Sequence, residues 1–152
     1  MAWIEGTEEQ TFEVDAPFDE VIDFFGDPAN FKECFSELES CEELEPMVWR
    51  WVLEEKSEKG ITYQADYVVE YDRTGDNRVE WHTREGNMRS EGFVECTDEG
   101  GGNTAVHYRE TIASDLPIAK LLAKVFRPIV AREIRKGVGS YLDCARQRLN
   151  SA

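Results

Sequence analysis

The sequence predicts an α+β fold in which a curved antiparallel sheet grips one long C-terminal helix. Three observations carry the prediction. The first two are a helical pattern from about residue 116 to residue 149 and, before it, a series of strand-like segments joined by short turns. The third is that one strand and two short helices come before that series. This order predicts a hollow between sheet and helix, a place where small hydrophobic molecules bind.

The first elements follow from local signals. Alternation predicts a strand over Thr7–Val14. Asp15 is expected to cap a first short helix with Pro17 in its first turn, and a second short helix is expected to begin at Asp27-Pro28. Alternating apolar residues and turn signals then predict further strands at Glu37–Leu44 (an acidic edge strand), Met47–Glu54, Ile61–Tyr71, Arg78–Glu85, Met88–Thr97 and Thr104–Ser114.

The last helix is expected to open with Ser114 or Asp115 as its cap and Pro117 in its first turn. Pro128 lies inside the apolar stripe and predicts a kink, or a division of the helix near Lys124. Two interpretations stay open: the breakers let the helix curve around the sheet, or they let it move over a cavity mouth.

Length and composition predict a single domain over residues 1–152. A chain of this size buries a substantial core, and 41% hydrophobic residues argue against disorder. No segment approaches the roughly 18 apolar residues of a membrane span. Met1–Glu5 has neither the basic start nor the apolar segment of a secretory signal, so a cytoplasmic location is predicted.

The charge is −15 in total, which argues against binding to nucleic acid because phosphates are repelled. Residues 116–152 depart from this balance, with eight basic and two acidic side chains. The basic helix either lies across an acidic sheet or presents a basic face to an anionic membrane surface or an acidic partner.

The cysteines predict neither a metal site nor a disulfide framework. They are scattered, none has CxxC spacing, and packed, reduced thiols are expected at Cys34, Cys41, Cys96 and Cys144. His82 and His107 have the opposite strand parity to their apolar neighbours and are expected on the outer face. No metal and no cofactor is predicted.

One stretch resembles a known family. Residues 12–25 read FEVDAPFDEVIDFF and residues 26–31 read GDPANF, and both phrases are similar to the opening of START-like domains of the SRPBCC superfamily, the polyketide cyclase/dehydrase and lipid-transport group. The resemblance implies the helix-grip fold, a seven-stranded antiparallel sheet around the C-terminal helix. It also implies a cavity for lipids, polyketides, quinones, sterols or hormones. Members include carriers, cyclases, sensors and oxygenase domains, but His82 and His107 lack the iron-binding motif of the oxygenase branch.

Hydrophobicity assigns an inward face to each strand, and this face is rich in aromatic side chains, which suit ring-bearing ligands. The alternative is that they fill a solid core. The candidate ligand-binding residues are Trp49, Trp51, Tyr63, Tyr67, Trp81, Thr83, Ser90, Val94, Val106, Tyr108, Ile112, Phe126, Ile129 and Val130.

Glu110 is the candidate catalytic residue because it shares parity with apolar neighbours. A carboxyl in an apolar pocket has a raised pKa and can transfer protons, as the resemblance to polyketide cyclases would require. The alternatives are a position near a strand end in solvent, or a bulge that turns the side chain outward.

Three functions follow from these patterns: a carrier or sensor for a hydrophobic small molecule, a cyclase or aromatase-type enzyme, and a protein-interaction or membrane-surface module. The chain has no nucleophile motif, no phosphate-binding glycine loop and no paired-carboxylate spacing. The first, non-enzymatic function is therefore favoured.

Overall fold

The computed structural model describes residues 2–150 and contains one large sheet, one small sheet and three α-helices. Neighbouring strands are antiparallel, and the large sheet has the order β1-β9-β8-β7-β6-β3-β2, whereas β4 and β5 pair only with each other. The predicted α+β helix-grip fold is confirmed. The elements are β1 (Ala2–Val14), α1 (Phe18–Gly26), α2 (Pro28–Cys34), β2 (Leu38–Glu45), β3 (Val48–Leu53), β4 (Lys56–Glu58), β5 (Ile61–Tyr63), β6 (Asp66–Gly75), β7 (Arg78–Gly86), β8 (Met88–Gly100), β9 (Asn103–Leu116) and α3 (Ala123–Asn150).

The first and last strands are longer than predicted because they pair along their whole length. The register runs from Ala2 opposite Leu116 to Val14 opposite Thr104. Ser114 and Asp115 therefore belong to β9, and the prediction that either caps the last helix is wrong. A 3₁₀ turn at Lys120–Leu122 separates the strand from α3.

Helix α3 runs without interruption from Ala123 through Pro128 to Asn150, so the proline does not divide it. At the start of α1, Pro17 occupies the N-cap position and makes no side-chain cap bond, so the predicted cap at Asp15 is wrong. The start of α2 agrees with the prediction, since the Asp27 side chain accepts a hydrogen bond from the Ala29 backbone N–H.

The prediction of a single strand over Ile61–Tyr71 is wrong, because residues 64–65 interrupt the strand and divide it into β5 and β6. Its first part pairs with Lys56–Glu58, which lies between two of the predicted strands, in a separate β4–β5 hairpin. Lys59 and Gly60, with φ of 50° and 79°, form the turn of this hairpin. At the break, the Gln64 side chain donates a hydrogen bond to the Leu53 carbonyl, and alternation of apolar residues gives no sign of this.

Cys34 at the end of α2 and Cys144 in α3 form a disulfide, although 110 residues separate them. The expectation of reduced thiols is therefore wrong for this pair, while Cys41 and Cys96 are free. The fold brings the pair together, and sequence spacing does not reveal it. The cytoplasmic location stays a prediction. Within residues 2–150, no helix is long and apolar enough to cross a membrane.

The core lies between the concave face of the large sheet and α3. Side chains from the centre of the sheet are fully buried here, and they face fully buried residues of the second half of α3. The first half of α3 packs less closely, with Ile129 only partly buried. This difference along the helix leaves room for a cavity. The fully buried side chains include Trp51, Val79, Val94, Val106, Leu142 and Ala145.

Candidate ligand-binding site

A cavity of about 180 Å³ lies between α3, the β4–β5 hairpin and the large sheet. Cavities of about 150 Å³ hold a benzene-sized molecule. We call it the main cavity. Its wall is mostly apolar and is formed chiefly by Ile61, Met88, Ile112, Leu116, Phe126, Ile129, Val130, Ile134 and Val138.

Ser57 and Glu58 of the hairpin line the main cavity and are exposed, so the cavity meets solvent beside them, and we call this opening its mouth. Lys56 Nζ donates hydrogen bonds to carboxylate oxygens of Glu37 and of Glu133 on α3, each at 2.8 Å. Burial alone would lower the pKa of Lys56, but its bonds to Glu133 and Glu37 outweigh that effect and raise the pKa. This ion cluster ties the hairpin to the helix.

A second cavity of about 30 Å³ adjoins the inner end of the main cavity. Four side chains line both: Phe31, Tyr67, Glu110 and Tyr141. The remaining wall of this inner cavity includes polar groups, so the site as a whole has a charged mouth, an apolar middle along α3 and a polar inner end. That wall contains Phe25, Asp27, Pro28, Val69, Tyr71, Trp81, Ser90, Val94 and Tyr108.

Glu110 lies at the junction of the cavities, and only 8% of it is exposed. Tyr108 Oη donates a hydrogen bond to its Oε1 at 2.7 Å, and Ser90 Oγ donates one to its Oε2 at 2.5 Å. Ser90 Oγ in turn accepts from Trp81 Nε1 at 3.0 Å. Burial raises the pKa of Glu110, and the bonds from Ser90 and Tyr108 offset this only in part. The site therefore contains a carboxyl group whose pKa is higher than that of an exposed glutamate.

Strand alternation and one glycine position this network. Tyr108 and Glu110 are two residues apart on β9 and so face the same side. Gly92 lies opposite Glu110 on β8. A Cβ atom there would lie 2.2 Å from the Arg109 carbonyl oxygen and 2.8 Å from the Trp81 ring, so only glycine lets this ring pack against the strand.

The five tyrosines of the site are neutral phenols. Burial raises the pKa of Tyr63 to about 12, and burial also raises the pKa values of Tyr67, Tyr71, Tyr108 and Tyr141. A neutral phenol donates one hydrogen bond, so these side chains are donors throughout the ordinary pH range.

The structure divides the sequence-predicted residues into three groups. The main cavity is lined by Tyr63, Tyr67, Glu110, Ile112, Phe126, Ile129 and Val130. The inner cavity is lined by Tyr67, Trp81, Ser90, Val94, Tyr108 and Glu110. Four predicted residues line neither: Trp49, Trp51, Thr83 and Val106.

These four residues make packing or hydrogen-bonding contacts instead, and Val106 is fully buried in the core. Trp51 is fully buried, stacks on Trp49 and meets the edge of Phe31 at 4.9 Å between ring centroids. Thr83 Oγ1 accepts a hydrogen bond from the Ser90 backbone N–H at 2.7 Å. It thereby holds the strand segment from which Ser90 reaches Glu110.

Sequence reasoning missed several lining residues. Ile134, Val138 and Tyr141 continue the helical spacing from Val130, so the apolar stripe contained the signal for them. Phe31 and Phe35 of the α2 segment share a helical face, but nothing in their spacing indicated that α2 closes the cavity. The lining residues Lys56, Ser57 and Glu58 of β4 had no sequence signal, since the hairpin itself was not predicted.

The fold agrees with sequence comparison. The model of the polyketide cyclase/dehydrase and lipid transport family matches residues 7–145. The chain belongs to this family. No curated protein sequence matches it. Membership of this family fits the interpretation of the chain as a domain that binds a hydrophobic ligand.

Solved structures show the same helix-grip fold as this family member. TTHA0849 from Thermus thermophilus is 23% identical with a TM-score of 0.72, over 95% of this chain and 97% of that one. A START superfamily protein from Mycobacterium smegmatis is 14% identical with a TM-score of 0.71, over 95% and 97%. The Zhui aromatase/cyclase from a Streptomyces species is 14% identical with a TM-score of 0.72, over 95% and 93%.

Proposed function

We propose that this protein binds a hydrophobic small molecule, of the lipid, polyketide or quinone kind, in the main cavity and acts as its carrier or sensor. The supporting observation is an apolar cavity between sheet and α3 with its mouth beside the β4–β5 hairpin. Desolvation of a ligand in such a cavity contributes about 25 cal/mol per Å² of buried apolar surface. The family membership agrees with this class of ligand.

Two helix glycines provide a matched test. Gly137 lines the main cavity, and Gly139, two residues further on and therefore on the other side of the helix, does not. We expect Gly137→Phe to fill the cavity and weaken binding of the fluorescent probe 1-aminoanthracene at least tenfold, while Gly139→Phe retains it. Fluorescence titration measures both. Equal binding by the two variants would contradict the proposed location.

A second candidate is a cyclase or aromatase-type enzyme, favoured by Glu110. Its raised pKa and its place at the junction of both cavities suit a general acid. One similar structure is of an aromatase/cyclase, and another is of norcoclaurine synthase from Thalictrum flavum. Candidate polyketide substrates incubated with the protein distinguish the two functions. An enzyme yields a product of new mass that Glu110→Gln does not make, whereas a carrier returns the compound unchanged.

We also propose that the start of the C-terminal helical segment contacts an anionic membrane surface. Leu121 is 91% exposed, and the nearby side chains Leu122 and Val125 are also exposed. Within residues 2–150, the neighbouring Lys120 and Lys124 form no ion pair. Exposed apolar residues can insert between lipids, and flanking lysines are attracted to anionic headgroups, so the two together suit an anionic lipid surface.

Vesicle sedimentation tests this contact. We expect binding to phosphatidylserine-containing vesicles that falls with added salt and with Leu121→Ser, and no binding to pure phosphatidylcholine vesicles. Binding that ignores lipid charge, or is unchanged in Leu121→Ser, would contradict it.

A further inference from the structure

Two tyrosines at the inner end of the main cavity have hydroxyl groups that the protein itself does not engage. Tyr67 is 4% exposed and Tyr141 is 6% exposed. The three other tyrosines all use their hydroxyls, since Tyr63 donates to the Asn87 carbonyl, Tyr108 donates to Glu110, and Tyr71 accepts from Trp51. Within residues 2–150, the hydroxyls of Tyr67 and Tyr141 make no hydrogen bond.

Both hydroxyls reach open cavity space. Tyr67 and Tyr141 line the main and the inner cavity alike. Among the described residues, three buried side-chain polar atoms lack both a hydrogen-bond partner and accessible surface: Trp49 Nε1, Asp115 Oδ1 and Arg146 Nε. The hydroxyls of Tyr67 and Tyr141 are not in this group, so each has surface open to the cavity. A hydroxyl donor that faces a mostly apolar cavity without a protein partner is in an unfavourable environment. A ligand oxygen that accepts from these phenols supplies the missing partner.

The charges around this inner end exclude an anionic ligand group. Over the described chain, the lining of the inner cavity contains no Lys, Arg or His, and Glu110 lies beside both phenols. The lining of the main cavity contains one cation, Lys56, which already bonds Glu37 and Glu133 at the mouth. A carboxylate at the inner end would therefore lose its hydration without gaining a cation.

We propose that the Tyr67 and Tyr141 hydroxyls form a binding site for an uncharged acceptor oxygen of the ligand, as in a ketone or quinone. The ligand's apolar body then lies along α3 toward the mouth, against Ile129 and Val130. This inference rests on the proposed function and adds to it the chemical class of the ligand: largely apolar, neutral and carrying a carbonyl group.

A pair of probes of equal shape tests the site. The ketone 2-acetylnaphthalene and the alkene 2-isopropenylnaphthalene differ in a carbonyl oxygen replaced by CH₂. Calorimetric titration at neutral pH measures both against the wild type, Tyr67→Phe, Tyr141→Phe and the control Tyr63→Phe. The control removes a hydroxyl in the same cavity that already has a protein partner.

We expect Tyr67→Phe and Tyr141→Phe each to weaken ketone binding by about three- to tenfold, the value of one hydrogen bond, and to leave alkene binding within about twofold. Tyr63→Phe should not change the ratio of the two affinities. The anion 2-naphthoate should bind more weakly than the ketone.

The possible failures are distinguishable. If the wild type binds both probes but the variants do not change their ratio, or if 2-naphthoate binds as tightly as the ketone, the inference is wrong and the proposed function stands. If the wild type binds neither probe, the proposed function itself is contradicted, and the inference falls with it.

Discussion

At the scale of single residues, the chemistry of the site depends on a carboxyl that the sheet places among aromatic rings. Glu110 stands near the middle of β9, with Gly92 opposite on β8, so no strand end is close enough to bring it into water. Tyr108 and Ser90 each donate to one of its oxygens. The carboxyl thus has hydrogen-bond partners without a counter-charge, and its pKa is raised by burial.

Replacement of Glu110 by Gln is expected to change how stability depends on pH. The native pKa lies above the unfolded value of about 4.3, so the native state binds the proton more tightly. As pH rises above the unfolded pKa, the free energy of unfolding of the wild type falls until the native carboxyl has ionised. That of Glu110→Gln lacks this fall, because glutamine does not titrate. Urea unfolding between about pH 5 and pH 8 should show the difference, variant minus wild type, growing with pH. A constant difference would contradict the raised pKa.

Gly92 is expected to tolerate no side chain. Gly92→Ala would force its Cβ against the Arg109 carbonyl and the Trp81 ring, and we expect a loss of about 3 kcal/mol in the free energy of unfolding. Gly75→Ala, whose Cβ would meet only Asn77 at 3.8 Å, is the control and should stay within about 0.5 kcal/mol. Chemical denaturation measures both, and equal effects would contradict the close approach.

The sequence predicted site residues correctly only where the inward direction of a strand side chain is enough to place it at the cavity. Parity identifies Tyr67, Tyr108 and Glu110 as inward, and the structure has them at the cavities. The alternation of side chains along a strand does not distinguish residues that line a cavity from residues that fill the solid core. Trp49 and Trp51 were therefore predicted to bind ligand, although they line neither cavity and pack against each other and Phe31. That distinction depends on how α2 and α3 lie across the sheet.

At the scale of elements, α2 is the piece whose position decides the closure of the cavity. Phe31 stacks on Phe35 and meets Tyr141 of α3 at 5.0 Å between ring centroids. The Cys34–Cys144 disulfide joins the end of α2 to the same helix. Aromatic packing and a covalent bond therefore hold α2 against α3.

Loss of this disulfide is expected to destabilise the protein. The bond closes a loop of 110 residues, and the double variant Cys34→Ser/Cys144→Ser should lose about 2–5 kcal/mol in the free energy of unfolding. Dithiothreitol should lower the melting temperature of the wild type and leave the double variant unchanged. Cys41→Ser, at a free cysteine, is the control. A wild type insensitive to reductant would contradict the bond's contribution.

The sequence predicted most elements of the fold because their apolar spacing matches a strand or helix period. It missed the end of β9 because Ser114 and Asp115 are also good helix caps, and only pairing with β1 makes them strand residues. It missed the β4–β5 hairpin because Ile61 and Tyr63 alternate in phase with β6. In both places a contact distant in sequence overrides the local preference.

At the scale of the whole molecule, the uneven charge has two separate consequences. Towards the end of α3, Arg146 donates to Gln10 and packs over Phe12, and Arg148 pairs with Glu33 of α2. Near its start, Arg132 pairs with Glu58 of the hairpin. These basic side chains of α3 thus contact other parts of the same protein, while Lys120 and Lys124 are exposed at the proposed membrane contact.

Ligand binding should also stabilise the whole molecule. A ligand that binds the native state alone, at about 100 times its dissociation constant, adds about 2.7 kcal/mol to the free energy of unfolding. We expect 2-acetylnaphthalene to raise the melting temperature of the wild type and of Gly139→Phe, and not that of Gly137→Phe. A similar rise in all three would indicate binding outside the main cavity.

Native mass spectrometry of the wild type, Gly139→Phe and Gly137→Phe, each incubated with 2-acetylnaphthalene, tests the central claim most directly. We predict one bound molecule per chain for the wild type and Gly139→Phe, released on denaturation, and none for Gly137→Phe, whose new side chain occupies the cavity between α3 and the sheet. An empty wild type, or equal loading of all three proteins, would contradict the claim that this cavity binds a hydrophobic molecule.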